Sequence, residues 1–255
     1  MNCELPGLTV LFEDGQLLAV DKPAGVHSAP LRPGESGTLL GRVIARYPEV
    51  AGLPGIKPVE PGLLHRLDRE TSGILLVART VEAFHTLRAA FAAGRVKKQY
   101  TALCACRIEA QAGERLRLES RFAPYGRGGQ RVRLLLPGDE GGPQGRRARK
   151  EPKASPRLYQ TEVQVLERQG SWALVRASLL RGFRHQVRAH LAHLGLPIAG
   201  DELYGVKAPS GAPERLYLHA TALELTHPAS EQELRLSSPL PSEFRFPAGG
   251  AAGRD

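Results

Sequence analysis

The chain has only three cysteines in 255 residues, Cys3, Cys104 and Cys106, too few and too unevenly spaced for a disulfide framework. That scarcity points to a reducing cytoplasm. Cys104 and Cys106 stand two apart in a strand-like segment, hence on one face, and no third or fourth ligand follows at zinc-site spacing; they read as small buried residues. No run of eighteen apolar residues occurs and no cationic start leads into an apolar stretch, so neither a membrane span nor export is expected. Internal repeats and convincing linkers are also missing, which leaves a single domain over 1–255. Acids are the scarcer charge, 26 against 35 Lys plus Arg, for a formal charge of +9. A polyanionic partner fits this excess, although GC-rich coding also enriches arginine. With 42% hydrophobic residues the chain is globular and large enough for a substantial core.

What is present begins with Leu8 to Phe12 and Leu17 to Val20, two strands joined through Asp14-Gly15 as a hairpin. Lys22-Pro23-Ala24-Gly25 stops the second strand and opens an irregular loop. Leu39, Leu40, Val43 and Ile44 recur at helical spacing behind Thr38 as cap, until Pro48. A second helix runs from the Thr80 cap through Val81, Phe84, Leu87 and Phe91 to Gly94. Alternation in the next segment predicts a strand with Lys98 and Tyr100 on one side, Lys97 and Gln99 on the other. A tyrosine among lysines suits a stacked base and phosphates, and it equally suits a core position.

The densest chemistry lies at His65-Arg66-Leu67-Asp68-Arg69-Glu70-Thr71-Ser72-Gly73, directly before the apolar run Ile74 to Ala78. A carboxylate beside a core strand is costly unless paired, and Arg66, Arg69 or a more distant arginine could supply the partner. An ionised, aimed Asp68 is what a nucleophile or base requires. Farther on, Leu116 and Leu118, then Val132 and Leu134, mark short strands, followed by a flexible basic loop at about 137–156 containing Gly141 to Lys150. Strands around Tyr159 to Val165 and Trp172 to Arg176 precede a turn at Gly182. An amphipathic helix is expected over Phe183 to Leu194, with Val187, Leu191 and Leu194 inward. It puts Arg184 and Arg188 on one face beside His185. Three histidines on this helix have cationic neighbours and no acid among them, which argues against a metal site. Leu216 to Leu225 and Glu233 to Leu236 read as closing strands.

Four segments in order, Leu17 to Gly25, HRLDRETSGILLVA from His65, KKQYTAL from Lys97 and RHQVRAHLAHLGLPIAGDELYG from Arg184, resemble the RluA-type pseudouridine synthases. These enzymes convert uridine to its carbon-linked isomer in structured RNA. The resemblance implies an α+β pseudouridine synthase fold: a long mixed, mainly antiparallel sheet flanked by helices, with a central basic cleft. It implies Asp68 as catalytic aspartate, Tyr100 stacking on the flipped uracil and helping to move its proton, and Arg188 pairing with Asp68. Arg66 would help insert into the RNA during flipping. His65, Arg69, Lys97, Lys98, Arg184 and His185 complete the expected RNA contacts. The family usually reads Gly-Arg-Thr-His-Gln where this chain has Gly182-Phe183-Arg184-His185-Gln186; a shift of one turns a helical side chain by about 100°, so Arg184 need not replace the missing arginine. Matching starts near Leu11, so no S4-type domain is expected ahead of it. The partner is structured RNA, ribosomal RNA preferred over transfer RNA, with the protein a monomer. No metal or cofactor is expected, because the isomerisation involves no redox change and no group donor. Two other classes compete. A noncatalytic RNA-binding protein has no use for an acid facing phosphate, and a carboxylate-dependent nucleoside or glycoside hydrolase wants a second carboxylate, for which Glu70 is the nearby candidate.

Overall fold

The computed structural model describes residues 8–138 and 154–247. Cys3, the run from Gly141 to Lys150 and most of the expected 137–156 loop lie outside the described residues. Among the described residues there are ten strands and three α-helices, an α+β composition, grouped in two compact units.

The first unit comprises residues up to Thr101 together with Leu218–Phe244. Strands β1 (Thr9–Glu13) and β2 (Leu17–Lys22) form the expected hairpin, where Asp14 Oδ1 accepts the N–H groups of Gln16 and Leu17 at 2.7 and 2.9 Å. β2 pairs antiparallel with β3 (Ser72–Ala78) in a register that sets Lys22 opposite Gly73. β3 in turn runs parallel to β9 (Leu218–Thr226), which also pairs antiparallel with β10 (Glu233–Ser237). Every residue of β3 is buried, which explains why its sequence is continuously apolar from Ile74 onward. Helices α1 (Leu39–Arg46) and α2 (Val81–Ala93) start where expected: Thr38 and Thr80 accept the Gly41 and Ala83 N–H groups, each at 3.1 Å. Gly94, left-handed at φ 75°, ends α2. Phe84, Leu87 and Phe91 bury the inner face of α2, which packs against β3, whereas Val81 in its first turn stays exposed.

At Gly73 two strands of the first unit approach each other closely. The Gly73 φ is +112°, and a Cβ there would lie 2.3 Å from the Ala220 carbonyl oxygen and 2.5 Å from the Ala220 nitrogen. Both contacts are with backbone, which cannot swing aside. We expect Gly73→Ala to cost more than about 3 kcal/mol of stability, measured by urea unfolding, because strain and overlap add. A loss under about 1 kcal/mol would contradict this close approach.

Strand β4 (Lys97–Ala105) passes from the first unit into the second, which holds Ala102–Tyr217. There β5 (Arg115–Tyr125) pairs antiparallel with both β6 (Arg131–Leu135) and β7 (Tyr159–Gln169), and β7 with β8 (Trp172–Leu179). Helix α3 (Gln186–His193) packs on β6 and β7. It is shorter than expected. His185 adopts the left-handed conformation, φ 57°, so Phe183 and Arg184 precede the helix and Arg184 does not share a helical face with Arg188. Leu194 caps the end, half-buried rather than among the core residues. Phe183 instead stacks on Phe122, centroids 5.0 Å apart and planes 6° from parallel, with Tyr159 at 5.2 Å. The residue that departs from the family pattern is thus an aromatic anchor for the turn before α3. Cys104 and Cys106 are buried, as small core residues should be. Among the described residues no helix is long and apolar enough to cross a membrane.

Candidate active site

In the first unit the residues before β3 are fastened one by one. Ser28 Oγ donates to the Leu67 carbonyl at 2.9 Å and accepts the Leu67 N–H at 3.1 Å. Lys22 is fully buried, and its ammonium donates to the carbonyls of Pro23, Val26 and Arg69 at 2.9, 2.7 and 2.8 Å. The Arg69 carbonyl also accepts the Gly25 N–H at 2.9 Å, while Arg69 Nε donates to the Gly25 carbonyl at 3.0 Å. Asp68 sits between these two clamped residues, half-buried, with its own carbonyl accepting the Thr71 N–H at 3.1 Å. A buried ammonium with three carbonyl acceptors is well compensated, so its burial serves to fix the loop's path. In the sequence Lys22-Pro23 marks only the end of a strand. Neither Lys22 nor Ser28 carries a periodic signal that would have revealed a bond to residues some forty positions away.

Tyr100, on β4, packs against the apolar core of the same unit. Burial and the nearby Asp68 carboxylate both push its hydroxyl above the usual tyrosine range, so it keeps its proton at working pH. Asp68 and Tyr100 are therefore within electrostatic reach of each other.

Several expected RNA contacts have other work. His65 stacks on Phe91 at 5.2 Å, and its Nε2 accepts the Leu76 N–H at 3.1 Å. Burial, then the charges of Lys98 and Arg88, lower its pKa to about 3. A neutral imidazole with an occupied nitrogen braces the loop against β3. Lys98 is 7% exposed with its ammonium 5.6 Å from the Phe91 ring centroid, so it faces inward with Tyr100 rather than toward a phosphate. On the opposite side of β4, as alternation predicted, Lys97 pairs with Glu224 at 3.2 Å and Gln99 donates to the same carboxylate at 2.9 Å. Arg66 and Arg69 remain at the surface, their side chains 49% and 58% exposed.

Burial lowers the Lys98 pKa to about 8 from an ordinary 10.5. Between these values the unfolded chain binds more protons than the folded one, so stability must rise with pH from about 8 to 10.5 and the charging penalty is fully present below 8. Urea unfolding should show this rise, and Lys98→Met should flatten it while adding about 1–3 kcal/mol near pH 7. Identical pH profiles would contradict the inward placement.

In the second unit Arg188 is buried and gripped bidentately by Asp201, Nε to Oδ2 at 2.8 Å and Nη2 to Oδ1 at 2.6 Å. The Asp201 side chain has no exposed surface, and its Oδ1 also accepts the N–H groups of Leu203 and Tyr204 at 2.9 and 3.1 Å. Burial alone would raise this carboxyl's pKa, but Arg188 and these amides hold it below the usual carboxylate range. The Tyr204 ring lies 5.5 Å from the Arg188 guanidinium, and its hydroxyl accepts the Val132 N–H at 2.6 Å and meets His185 Nδ1 at 3.1 Å. In the sequence Asp201 and Tyr204 stand only as parts of the segment that runs on from Arg184, with no sign that they hold the arginine. Arg184 does not join them: its Nη2 donates to the carbonyls of Gly129 and Arg131. A cleft of about 330 Å³ on this unit is lined by Tyr125, Arg131, Arg133, His193 and Tyr204, with leucines behind them.

The sequence matches the family described as RNA pseudouridylate synthase over residues 16–193. The chain belongs to that family. Among relatives of this synthase, ribosomal large subunit pseudouridine synthase D of Pseudomonas aeruginosa is 31% identical over 93% of this chain and 69% of its own length. The protein of that name from Nitrosomonas europaea is 35% identical over 93% and 63%. The chain thus spans about two thirds of the length of these curated relatives. The solved structure of human RNA pseudouridylate synthase domain containing 1 superposes with a TM-score of 0.66 at 26% identity, covering 94% of this chain and 86% of that one. The fold is the α+β pseudouridine synthase fold, and the chain is an isomerase acting on RNA.

Proposed function

We propose that this synthase converts specific uridines of ribosomal RNA to pseudouridine, with Asp68 as the reacting carboxylate. Two relatives are named for the ribosomal large subunit, which supports that RNA over transfer RNA. The two units work as one catalytic domain, as a monomer in the cytoplasm. The observation that carries the reading is the doubly clamped loop that holds Asp68 near the protonated Tyr100 hydroxyl. A carboxylate so restrained meets a substrate at low entropic cost.

The reaction breaks the bond from ribose C1′ to uracil N1, turns the detached base and joins C1′ to C5; the hydrogen on C5 leaves as a proton and N1 takes one up, so the product is an isomer. Asp68 either attacks covalently or removes a sugar proton; both need it ionised, and Arg188 is the cation proposed to keep it so. Tyr100 stacks on the flipped uracil and, because it retains its proton, can donate to the base or relay the C5 proton. Arg66 and Arg69 supply exposed positive charge beside the loop for phosphates and for the space the flipped base vacates. Glycoside hydrolysis gains no support from Glu70, half exposed and 3.6 Å from Arg69. Selective chemical mapping of pseudouridine in ribosomal RNA from cells with and without the gene tests the assignment. One or more large-subunit sites should vanish; loss confined to transfer RNA would redirect it.

A further inference from the structure

Glu60 is the most unusual carboxylate in the first unit. Its side chain is 1% exposed, yet it is only half satisfied: Oε1 lies 3.1 Å from Arg66 Nη1, while Oε2 has no hydrogen-bond partner among the described residues. Its backbone is pinned, since the Glu60 N–H donates to the Lys57 carbonyl at 2.9 Å and its carbonyl accepts the Leu63 N–H at 3.2 Å. The second cation within electrostatic reach, Arg88, has its Nη1 committed to the Leu64 carbonyl at 2.7 Å. A buried carboxylate with an idle oxygen weakens a fold, and an apolar residue of its size would serve packing better. What this one contacts is an arginine whose side chain is half in solvent, two residues before Asp68.

We propose that Glu60 is a positioning residue that holds the Arg66 guanidinium ready beside the Asp68 loop for insertion into the RNA. The inference rests on the reading of Arg66 given above. An arginine free to rotate loses much rotamer entropy when it enters a nucleic acid, and a fixed carboxylate beneath it removes part of that loss in advance. One oxygen of Glu60 is enough, because Arg66 must leave the contact or pivot about it as the uridine flips. The buried carboxylate also selects the direction of approach: Glu60 cannot follow the arginine outward, so it acts on Arg66 only before insertion.

The test is a double-mutant cycle read by pseudouridine formation on the RNA that the wild type modifies. Glu60→Met removes the carboxylate at similar volume, and Glu60→Gln keeps the shape and removes the charge. Each should lower kcat/KM about tenfold, chiefly through KM, and melt at or above the wild-type temperature. In an Arg66→Met background the same Glu60 changes should alter kcat/KM less than about twofold. Equal losses with and without Arg66, or no loss from either variant, would overturn the proposal. If Glu60→Met does not fold, the Glu60→Gln pair decides alone by the same criterion. A silent Arg66→Met would instead remove the reading of Arg66 on which the inference stands, whatever Glu60 does.

Discussion

Replacing Asp68 with Asn should lower pseudouridine formation by about 10⁴-fold or more, the scale seen when a reacting group is removed from a preorganised site. RNA affinity should stay the same or rise by up to about threefold, because a negative charge facing phosphates has gone. Both arms matter. Asparagine keeps the size of the side chain, and the clamps from Ser28 and Lys22 grip the backbone of Leu67 and Arg69 rather than the Asp68 side chain, so the loop should keep its path. A fall in activity accompanied by unfolding would say that Asp68 supports the fold; a fall with binding intact says that it reacts. Gel-shift titration at fixed salt beside single-turnover product formation separates the two. Activity within about tenfold of wild type would remove Asp68 from the chemistry.

The second large effect is expected at Asp201. Asp201→Ala strips the buried Arg188 of its bidentate partner and leaves the Leu203 and Tyr204 N–H groups without their shared acceptor. Breaking a buried pair from one side costs about 3–5 kcal/mol, far more than a surface pair. Urea unfolding should show that loss, and the fraction still folded should make product slowly because the guanidinium is no longer aimed. Asp201→Asn retains the acceptor for the amides and should lose less stability, while its activity falls nearly as far. If Asp201→Ala unfolded within about 1 kcal/mol of wild type, the account of Arg188 as a fixed cation would be wrong.

Local order was legible in the sequence; long-range polar pairing was not. The Asp14 turn, the Thr38 and Thr80 caps and the αL Gly94 are encoded within four residues of where they act, and each appears where the pattern puts it. Strand alternation sorted Lys97 and Gln99 from Lys98 and Tyr100 because a two-residue period needs no tertiary knowledge. The start of α3 failed for an equally local reason: His185 goes left-handed, a conformation no helical pattern announces in a non-glycine residue. The bonds that fix the loop join Lys22 to Arg69 and Ser28 to Leu67, and those that fix the arginine join Arg188 to Asp201. Such partners follow no period and are set by the sheet register, so the motif offered candidate residues without showing what holds them. The inward placement of Lys98 and the bond from Leu76 to His65 were hidden for the same cause, since composition gives charge but not the direction in which a side chain points.

The most direct test incubates the purified chain with ribosomal RNA carrying tritium at uridine C5 and counts, in the same sample, tritium released to water, pseudouridine formed and free uracil. The account predicts equal molar amounts of released tritium and pseudouridine, with no uracil. Free uracil in place of pseudouridine would make the chain a hydrolase and contradict the account.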